Sequence, residues 1–215
     1  NNNYYFPLFT DLFTDDFLCS VFRAVNNSGV DYIELGYKAD ESQFLRSEYG
    51  PMKFCSEKDI EKVVNGEEVK CKISVMVDIG RVDPSTIPQK SESFIDMMRV
   101  ASYVKDIDKA IDLASQLKAK GYEATINLMA VSHARERELD EALMQVEKES
   151  DIDALYLVDS FGALYSEQIS HLAKKYKSLM PTKEIGIHAH NNQQLAFANT
   201  IEAIIQNVNY LDGTI

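Results

Sequence analysis

The sequence is poor in cysteine, with three residues in 215. Cys19, Cys55 and Cys71 are scattered, form no Cys-x-x-Cys pair and are odd in number. These features argue against a disulfide framework and against a structural zinc site built from thiolates. We therefore interpret the three cysteines as buried thiols.

The chain also lacks basic residues relative to acidic ones, 22 against 34, which gives a formal net charge of −12. Nucleic-acid and anionic-membrane partners both require a basic face, so neither is expected. No apolar run reaches the ~18 residues of a membrane span. The opening segment NNNYYFPLFTDLF has neither the basic start nor the apolar core of a signal peptide. We expect a soluble, cytoplasmic protein.

Strand and helix patterns alternate along most of the chain. Short runs rich in apolar and β-branched residues predict seven strands, at residues 31–37, 71–78, 94–101, 123–132, 154–162, 184–192 and 210–215. Amphipathic patterns predict helices between them, at residues 14–28, 56–65, 106–120, 138–149, 166–179 and 194–206. Near-continuously apolar strands separated by single helices predict a parallel sheet covered by helices.

Two α/β architectures compete for this pattern. A doubly wound sheet normally carries a glycine-rich turn after its first strand, and neither G-x-G-x-x-G nor G-x-x-x-x-G-K occurs. A (β/α)8 barrel instead places polar residues after several strands, because its active site lies at their carboxyl ends. This chain has polar residues at such positions repeatedly, so we predict a TIM barrel as a single domain over residues 1–215, incomplete at about seven strands.

The stretch EIGIHAHNN, residues 184–192, has the clearest chemical pattern. On a strand, alternate side chains share a face, so Gly186, His188 and His190 point the same way. Two imidazoles at this spacing can converge on one cation, whereas on a helix they would diverge. The pair could also be hydrogen-bonded wall residues, since histidine is an ordinary polar residue as well as a ligand. The apolar opposite face and the asparagines beyond the strand favour a metal site.

Other polar residues follow or interrupt the remaining predicted strands. A strand carboxylate such as Glu34 could be a water-facing residue of an edge strand. Arg99 and Asn127 could each form a structural salt bridge or cap a loop. His133 falls in a loop and His171 on a predicted helix, so we expect both at the surface.

Three stretches together resemble the DRE-TIM metallolyases: YIELGY, LYLVDSFG, and GIHAHNNQQLAFANTIEAI followed by YLDGTI. The resemblance covers essentially the whole chain. It is closest in texture to the 4-hydroxy-2-oxovalerate aldolases, with 3-hydroxy-3-methylglutaryl-CoA lyase and isopropylmalate synthase as more distant members. It implies that His188 and His190 bind a divalent cation, Mn²⁺ or Mg²⁺. It further implies catalytic roles in the pocket for Glu34 and Asp159, and substrate binding by Ser160, Arg99, Asn127 and Asn191, with Ser160 bonded to the substrate carboxylate.

The resemblance implies a metal-dependent carbon–carbon lyase that cleaves a 4-hydroxy-2-oxo acid to pyruvate and an aldehyde. The cation would keep roughly half of an octahedral shell open for the 2-oxo acid and would act as a Lewis acid on its keto oxygen. A homo-oligomer or a partner dehydrogenase is also implied. Open alternatives are a Claisen-type acyl-CoA condensing enzyme, an enzyme like HMG-CoA lyase, an amidohydrolase and a non-catalytic binding or scaffold module.

The sequence departs from the family at both ends. The family's first-strand segment, of D-x-T-L-R-D-G type, supplies an aspartate ligand and an arginine, and Asn1 resembles what normally follows it. A base for the substrate hydroxyl lies near that same segment. The chain also stops at Ile215, before the glycine-rich segment that follows the last strand. We therefore expect a fragment truncated at both ends, preceded by an Asp with an Arg within a few positions.

Overall fold

The computed structural model describes residues 14–214. The opening segment NNNYYFPLFTDLF and Ile215 lie outside the described residues. The described chain consists of two compact units, the first ending at Met97 and the second beginning at Met98. The single domain over residues 1–215 stays a prediction.

The first unit contains two parallel strands, β1 (Tyr32–Tyr37) and β2 (Lys72–Asp78), in register at Ile33 and Ile73. Its helices are α1 (Asp15–Asn26), the single turn α2 (Arg46–Tyr49) and α3 (Glu57–Val64). Helix α3 begins in a capping box, because the Ser56 side chain accepts from the Asp59 amide while the Asp59 carboxylate accepts from the Ser56 amide. Of the three cysteines, Cys55 and Cys71 are buried and Cys19 is partly exposed.

The second unit contains the regular alternation of strands and helices. Its strands are β3 (Met97–Tyr103, beginning at the unit boundary), β4 (Glu123–Met129), β5 (Ala154–Asp159), β6 (Glu184–Ala189) and β7 (Tyr210–Leu211). Its helices are α4 (Ile107–Ala119), α5 (Glu136–Glu149), α6 (Ser166–Leu179) and α7 (Ala196–Ile205). The strands lie side by side in chain order, and β4 to β7 are parallel, so each connection passes through a helix.

All seven predicted strands are present within residues 14–214, and they confirm the fold class of an incomplete (β/α)8 barrel. Several end earlier than predicted. Strand β4 ends at Met129 because Ala130 takes a left-handed conformation, with φ 54°. Strand β6 ends at Ala189, so His190 follows the strand instead of lying on it. Within the same residues, no helix is long and apolar enough to cross a membrane.

Strand register decides which side chains meet in the second unit. Tyr156 of β5, Gly186 of β6 and Tyr210 of β7 are successive register partners. A Cβ on Gly186 would lie 2.5 Å from the Tyr156 ring, so only glycine leaves room for that ring. His188 pairs with Val158 in the same register, two residues nearer the carboxyl ends. The histidine therefore lies directly beyond the buried tyrosine.

Candidate active site

The two histidines of the HAH motif lie beside each other at the carboxyl end of β6. Their ring centroids are 5.1 Å apart, with planes inclined at 63°. Two imidazoles bound to one cation at ~2.1 Å place their centroids roughly 4.6–5.3 Å apart for bond angles of about 90–109°. The separation therefore suits two ligands of one ion, and the rings are adjacent as the sequence predicts.

Asp212 bonds to the first of these histidines. Its Oδ2 lies 2.7 Å from His188 Nδ1. The contact follows from register, because the Asp212 amide donates to the Ile187 carbonyl at 3.1 Å, one residue before the histidine. Sequence reasoning missed Asp212, although a carboxylate just after the short β7 is the pattern that indicated site residues on other strands.

Arg99 binds the same carboxylate. Its Nη2 lies 2.5 Å from Asp212 Oδ2, and its guanidinium carbon lies 4.3 Å from the centroid of the Tyr156 ring. Only 5% of Arg99 is exposed. The sequence predicted a position at the end of a strand, whereas Arg99 is the third residue of β3. The structural salt bridge, one alternative left open by the sequence, is present, and substrate binding by Arg99 stays a prediction.

Burial and neighbouring charges determine the protonation of Asp212 and His190. Burial by itself would raise the pKa of Asp212, but the His188 hydrogen bond and the Arg99 guanidinium outweigh it and lower that pKa. His190 is exposed by surface area, but partial desolvation of its ring and the neighbouring His188 lower its pKa. A carboxylate and a neutral imidazole are therefore the favoured forms, and a neutral imidazole is the form that binds a metal ion.

Asp159 and Ser160 hold the loop that follows β5. The fully buried Asp159 accepts from the Ala163 amide through Oδ1 and from the Leu164 amide through Oδ2, both at 3.1 Å. Ser160 Oγ accepts from the Ala130 amide at 2.8 Å, which ties this loop to the end of β4. The carboxylate thus has a structural task that the sequence did not indicate, and its catalytic role stays a prediction.

The same loop packs against the chain beyond β6. Gly162 has φ +55°, and a Cβ there would lie 2.7 Å from the His190 carbonyl oxygen and from the Asn192 amide nitrogen. A side chain at this position would displace the backbone that carries the second histidine. Asn191 is exposed, and its Oδ1 accepts from the Ala196 amide at 3.1 Å, at the start of α7. Substrate binding by Asn191 stays a prediction.

Asn127 is a buried polar residue with an unsatisfied atom. It is 2% exposed, lies inside β4 instead of at its end, and pairs in register with Tyr156. Its Oδ1 has no hydrogen-bond partner among the described residues. Buried acceptors are normally paired, so a ligand or water molecule is the expected partner.

Three further titratable candidates remain, namely Glu34, His133 and His171. Glu34 is exposed on β1 in the first unit, which leaves its catalytic role a prediction. His133 and His171 are exposed, as expected. The His133 ring meets the Phe161 ring edge-on at 4.5 Å.

The donors present fit a divalent cation as part of its ligand set. No cluster of three or more His, Cys, Asp or Glu side chains within residues 14–214 is arranged to hold a metal ion by itself. His188 and His190 could supply two nitrogen donors, and Asp212 hydrogen-bonds His188 as an outer carboxylate does in many metal sites. The described residues therefore fit two ligands of a cation, together with a carboxylate that hydrogen-bonds one of them.

The fold and this cluster together define a class: barrel-type α/β proteins with a polar cluster at the carboxyl ends of parallel strands. Comparison with known families gives the narrower assignment. The chain belongs to the HMGL-like family, whose model matches residues 10–215. Membership removes the amidohydrolase alternative and confirms the resemblance.

Individual relatives agree with this assignment. A 4-hydroxy-2-oxovalerate aldolase from Geobacillus thermodenitrificans is 28% identical over 203 residues, which cover 94% of this chain and 58% of that protein. One from Thermus thermophilus is 25% identical over 196 residues, covering 91% of this chain and 56% of that protein. The chain thus spans somewhat more than half the length of the curated relatives it matches.

Solved structures support the fold. The N-terminal domain of a Bacteroides vulgatus protein assigned as an aldolase matches with a TM-score of 0.79 at 25% identity, covering 94% of this chain and 67% of that one. A Bacillus subtilis HMG-CoA lyase matches with a TM-score of 0.68 at 14% identity, covering 94% of this chain and 70% of that one. The second likeness is evidence for the fold alone.

Proposed function

We propose that this chain belongs to a divalent-metal-dependent aldolase that cleaves a 4-hydroxy-2-oxo acid to pyruvate and an aldehyde. The observation that carries the proposal is the pair of imidazoles 5.1 Å apart at the carboxyl end of β6. Aldolases among the curated relatives support the reaction class. Mn²⁺ or Mg²⁺ as the cation, a cytoplasmic location, and a homo-oligomer or partner dehydrogenase belong to the same proposal.

His188 and His190 would hold the cation. When bound, the cation supplies Lewis-acid stabilisation of the negative charge that develops on the keto oxygen during cleavage. Glu34 and Asp159 are the proposed catalytic residues, and Asp159 also fixes the loop that carries Ser160. Because the Ser160 hydroxyl oxygen accepts from Ala130, its own hydrogen can be donated to the substrate carboxylate.

Two further groups would orient the substrate. The buried Asn127 Oδ1 is an acceptor suited to a substrate hydroxyl, since that bond would satisfy an atom otherwise left without a partner. Asn191 completes the proposed substrate-binding set, and for Arg99 the buried contact with Asp212 favours a positioning role over direct substrate binding. The lowered pKa of His190 keeps its imidazole neutral at physiological pH and ready to bind the cation.

The test is proton exchange at the pyruvate methyl group, which requires enolisation without any aldehyde. The complete protein is incubated with pyruvate in D₂O after treatment with EDTA, and again after addition of Mn²⁺ or Mg²⁺, and the methyl signal is followed by ¹H NMR. We expect exchange only with the added cation. Release of pyruvate from 4-hydroxy-2-oxovalerate checks the full reaction.

The matched control compares two histidines. His188→Ala should abolish metal-dependent exchange, whereas His171→Ala, the same change at an exposed residue of α6, should leave it intact. If the complete protein retains no divalent cation and exchanges no methyl protons, the aldolase proposal is wrong.

A further inference from the structure

A chain of contacts runs inward from His188 through three side chains. Asp212 Oδ2 lies 2.7 Å from His188 Nδ1, and Arg99 Nη2 lies 2.5 Å from the same oxygen. The Arg99 guanidinium carbon in turn lies over the Tyr156 ring, 4.3 Å from its centroid. Tyr156 fits there only because Gly186 has no Cβ. Each member thus fixes the position of the next.

Hydrogen-bond chemistry determines how the imidazole is oriented. An ionised carboxylate has acceptors only, and Asp212 is paired with the permanently charged Arg99. The proton shared between Asp212 and the imidazole must therefore lie on His188 Nδ1. In the neutral ring this leaves Nε2 without a proton, with its lone pair directed away from Asp212.

The alternative task for Arg99, direct substrate binding, competes with this arrangement. Arg99 is 5% exposed, its guanidinium carbon lies over the Tyr156 ring, and its Nη2 is bonded to Asp212. A buried arginine with these contacts is better suited to orient the Asp212 carboxylate than to give up that bond and bind a substrate.

We propose that Asp212 and Arg99 are positioning residues, which fix His188 as the Nδ1–H tautomer and direct its Nε2 lone pair to the cation. The Tyr156 ring, which fits because Gly186 has no side chain, holds Arg99 in position to bond Asp212. The statement that Nε2 is directed to a cation rests on the proposed function, whereas the tautomer of His188 is a property of the protein without metal. The two can therefore fail separately.

The experiment reads the tautomer directly. The complete protein is labelled with ¹⁵N at its histidines, stripped with EDTA, and examined by long-range ¹H–¹⁵N correlation, which distinguishes a proton on Nδ1 from one on Nε2. The chain has four histidines, so the His188 signals are identified by their loss in His188→Ala. We expect the wild-type proton on Nδ1.

Two substitutions of the carboxylate follow. Asp212→Ala removes the acceptor, so the proton should move to Nε2 and Mn²⁺ affinity, measured by calorimetry, should fall 10–100-fold. Asp212→Asn keeps an acceptor oxygen and should retain the Nδ1–H signal with a smaller loss of affinity. This rescue by asparagine separates positioning from general damage to the fold.

Asp153→Ala is the matched control. Asp153, just before β5, is also an ion-paired aspartate of the second unit, bonded to Lys118 at 2.9 and 3.0 Å and to the Ala124 amide at 2.8 Å. Its loss should leave the tautomer and the Mn²⁺ affinity unchanged. If Asp212→Ala does not fold, the wild-type spectrum still decides.

Three outcomes separate the two proposals. A wild-type proton on Nε2, or an Asp212→Ala protein with unchanged tautomer and affinity, overturns the positioning proposal and leaves the aldolase proposal standing. A proton on Nδ1 in a protein that binds neither Mn²⁺ nor Mg²⁺ supports the positioning of the ring and overturns the aldolase proposal.

Discussion

The Arg99–Asp212 ion pair contributes to stability mainly through what its loss would leave behind. The side chains of Arg99 and Asp212 are 6% and 19% exposed. A pair this buried gains little over apolar residues, but removing one partner leaves a charge that water cannot solvate well. The lowered pKa of Asp212 depends on the same guanidinium and the His188 bond, which oppose the effect of burial. Arg99 is therefore expected to influence both stability and the ionisation of Asp212.

We predict that Arg99→Met lowers the free energy of unfolding by on the order of 3 kcal/mol. The Asp212 carboxylate loses its ion pair with the guanidinium, while the hydrophobic contact with Tyr156 is kept. Urea denaturation followed by circular dichroism measures the change. The control is Arg137→Met, which breaks an exposed pair with Glu141. That change should cost less than about 1 kcal/mol. If both variants lose the same free energy of unfolding, the expectation that Arg99→Met leaves a buried carboxylate without its charged partner is wrong.

At the scale of elements, β6 is built around the tight contact between Gly186 and the Tyr156 ring. Gly186→Ala would place a Cβ 2.5 Å from that ring, so either β6 or the tyrosine must move. We predict a loss of about 1–3 kcal/mol in the free energy of unfolding and a weaker cation site, because the displaced ring carries Arg99 with it. Denaturation and Mn²⁺ calorimetry measure the two effects.

Gly213→Ala is the matched control for this change. A Cβ at Gly213 would meet no described atom within 4 Å. The control should change stability by no more than about 0.5 kcal/mol. A tolerated Gly186→Ala would show that Tyr156 can move without cost.

The capping box of α3 provides an element-scale prediction in the first unit. Burial would raise the pKa of Asp59, but its bonds to Arg46 and Ser56 outweigh that effect and lower it. A lowered folded-state pKa gives stability that is complete above the ordinary value of 3.8 and is lost as pH falls through the folded-state value. Asp59→Asn should therefore destabilise the protein near pH 6 by about 1 kcal/mol and by less near pH 3. Urea titrations across this range measure the difference, and a constant difference at all pH values would contradict it.

At the scale of the whole molecule, the proposed cation, if held by the native histidines, would couple metal binding to folding. A ligand that binds only the folded state stabilises it by about 2.7 kcal/mol at 100 times its dissociation constant. We predict that Mn²⁺ raises the melting temperature of the complete protein, that EDTA reverses the rise, and that His188→Ala removes it while the protein stays folded. Differential scanning calorimetry checks the shift. A His188→Ala protein that unfolds without metal would instead support a structural role for this histidine.

The seven strands and the adjacency of His188 and His190 could be predicted from the sequence because both are local. Apolar periodicity records which face of a segment is buried, and two residues that are only two positions apart at the end of a strand stay close in any fold that keeps the strand. Strand ends were predicted less well, since β4 stops where Ala130 turns left-handed and β5 where the Asp159 carboxylate bonds the following loop. Neither event has a periodic signal.

The sequence by itself therefore determined the class of fold, the family and the two proposed metal ligands of this protein. Only the tertiary structure decided which side chains support them: Asp212 lies 24 residues from His188 and 113 from Arg99 in sequence. Such contacts depend on the register between strands separated by whole helices, and on a glycine that lets one ring approach β6. Register arises from the packing of the sheet as a unit, and no short stretch of sequence contains it.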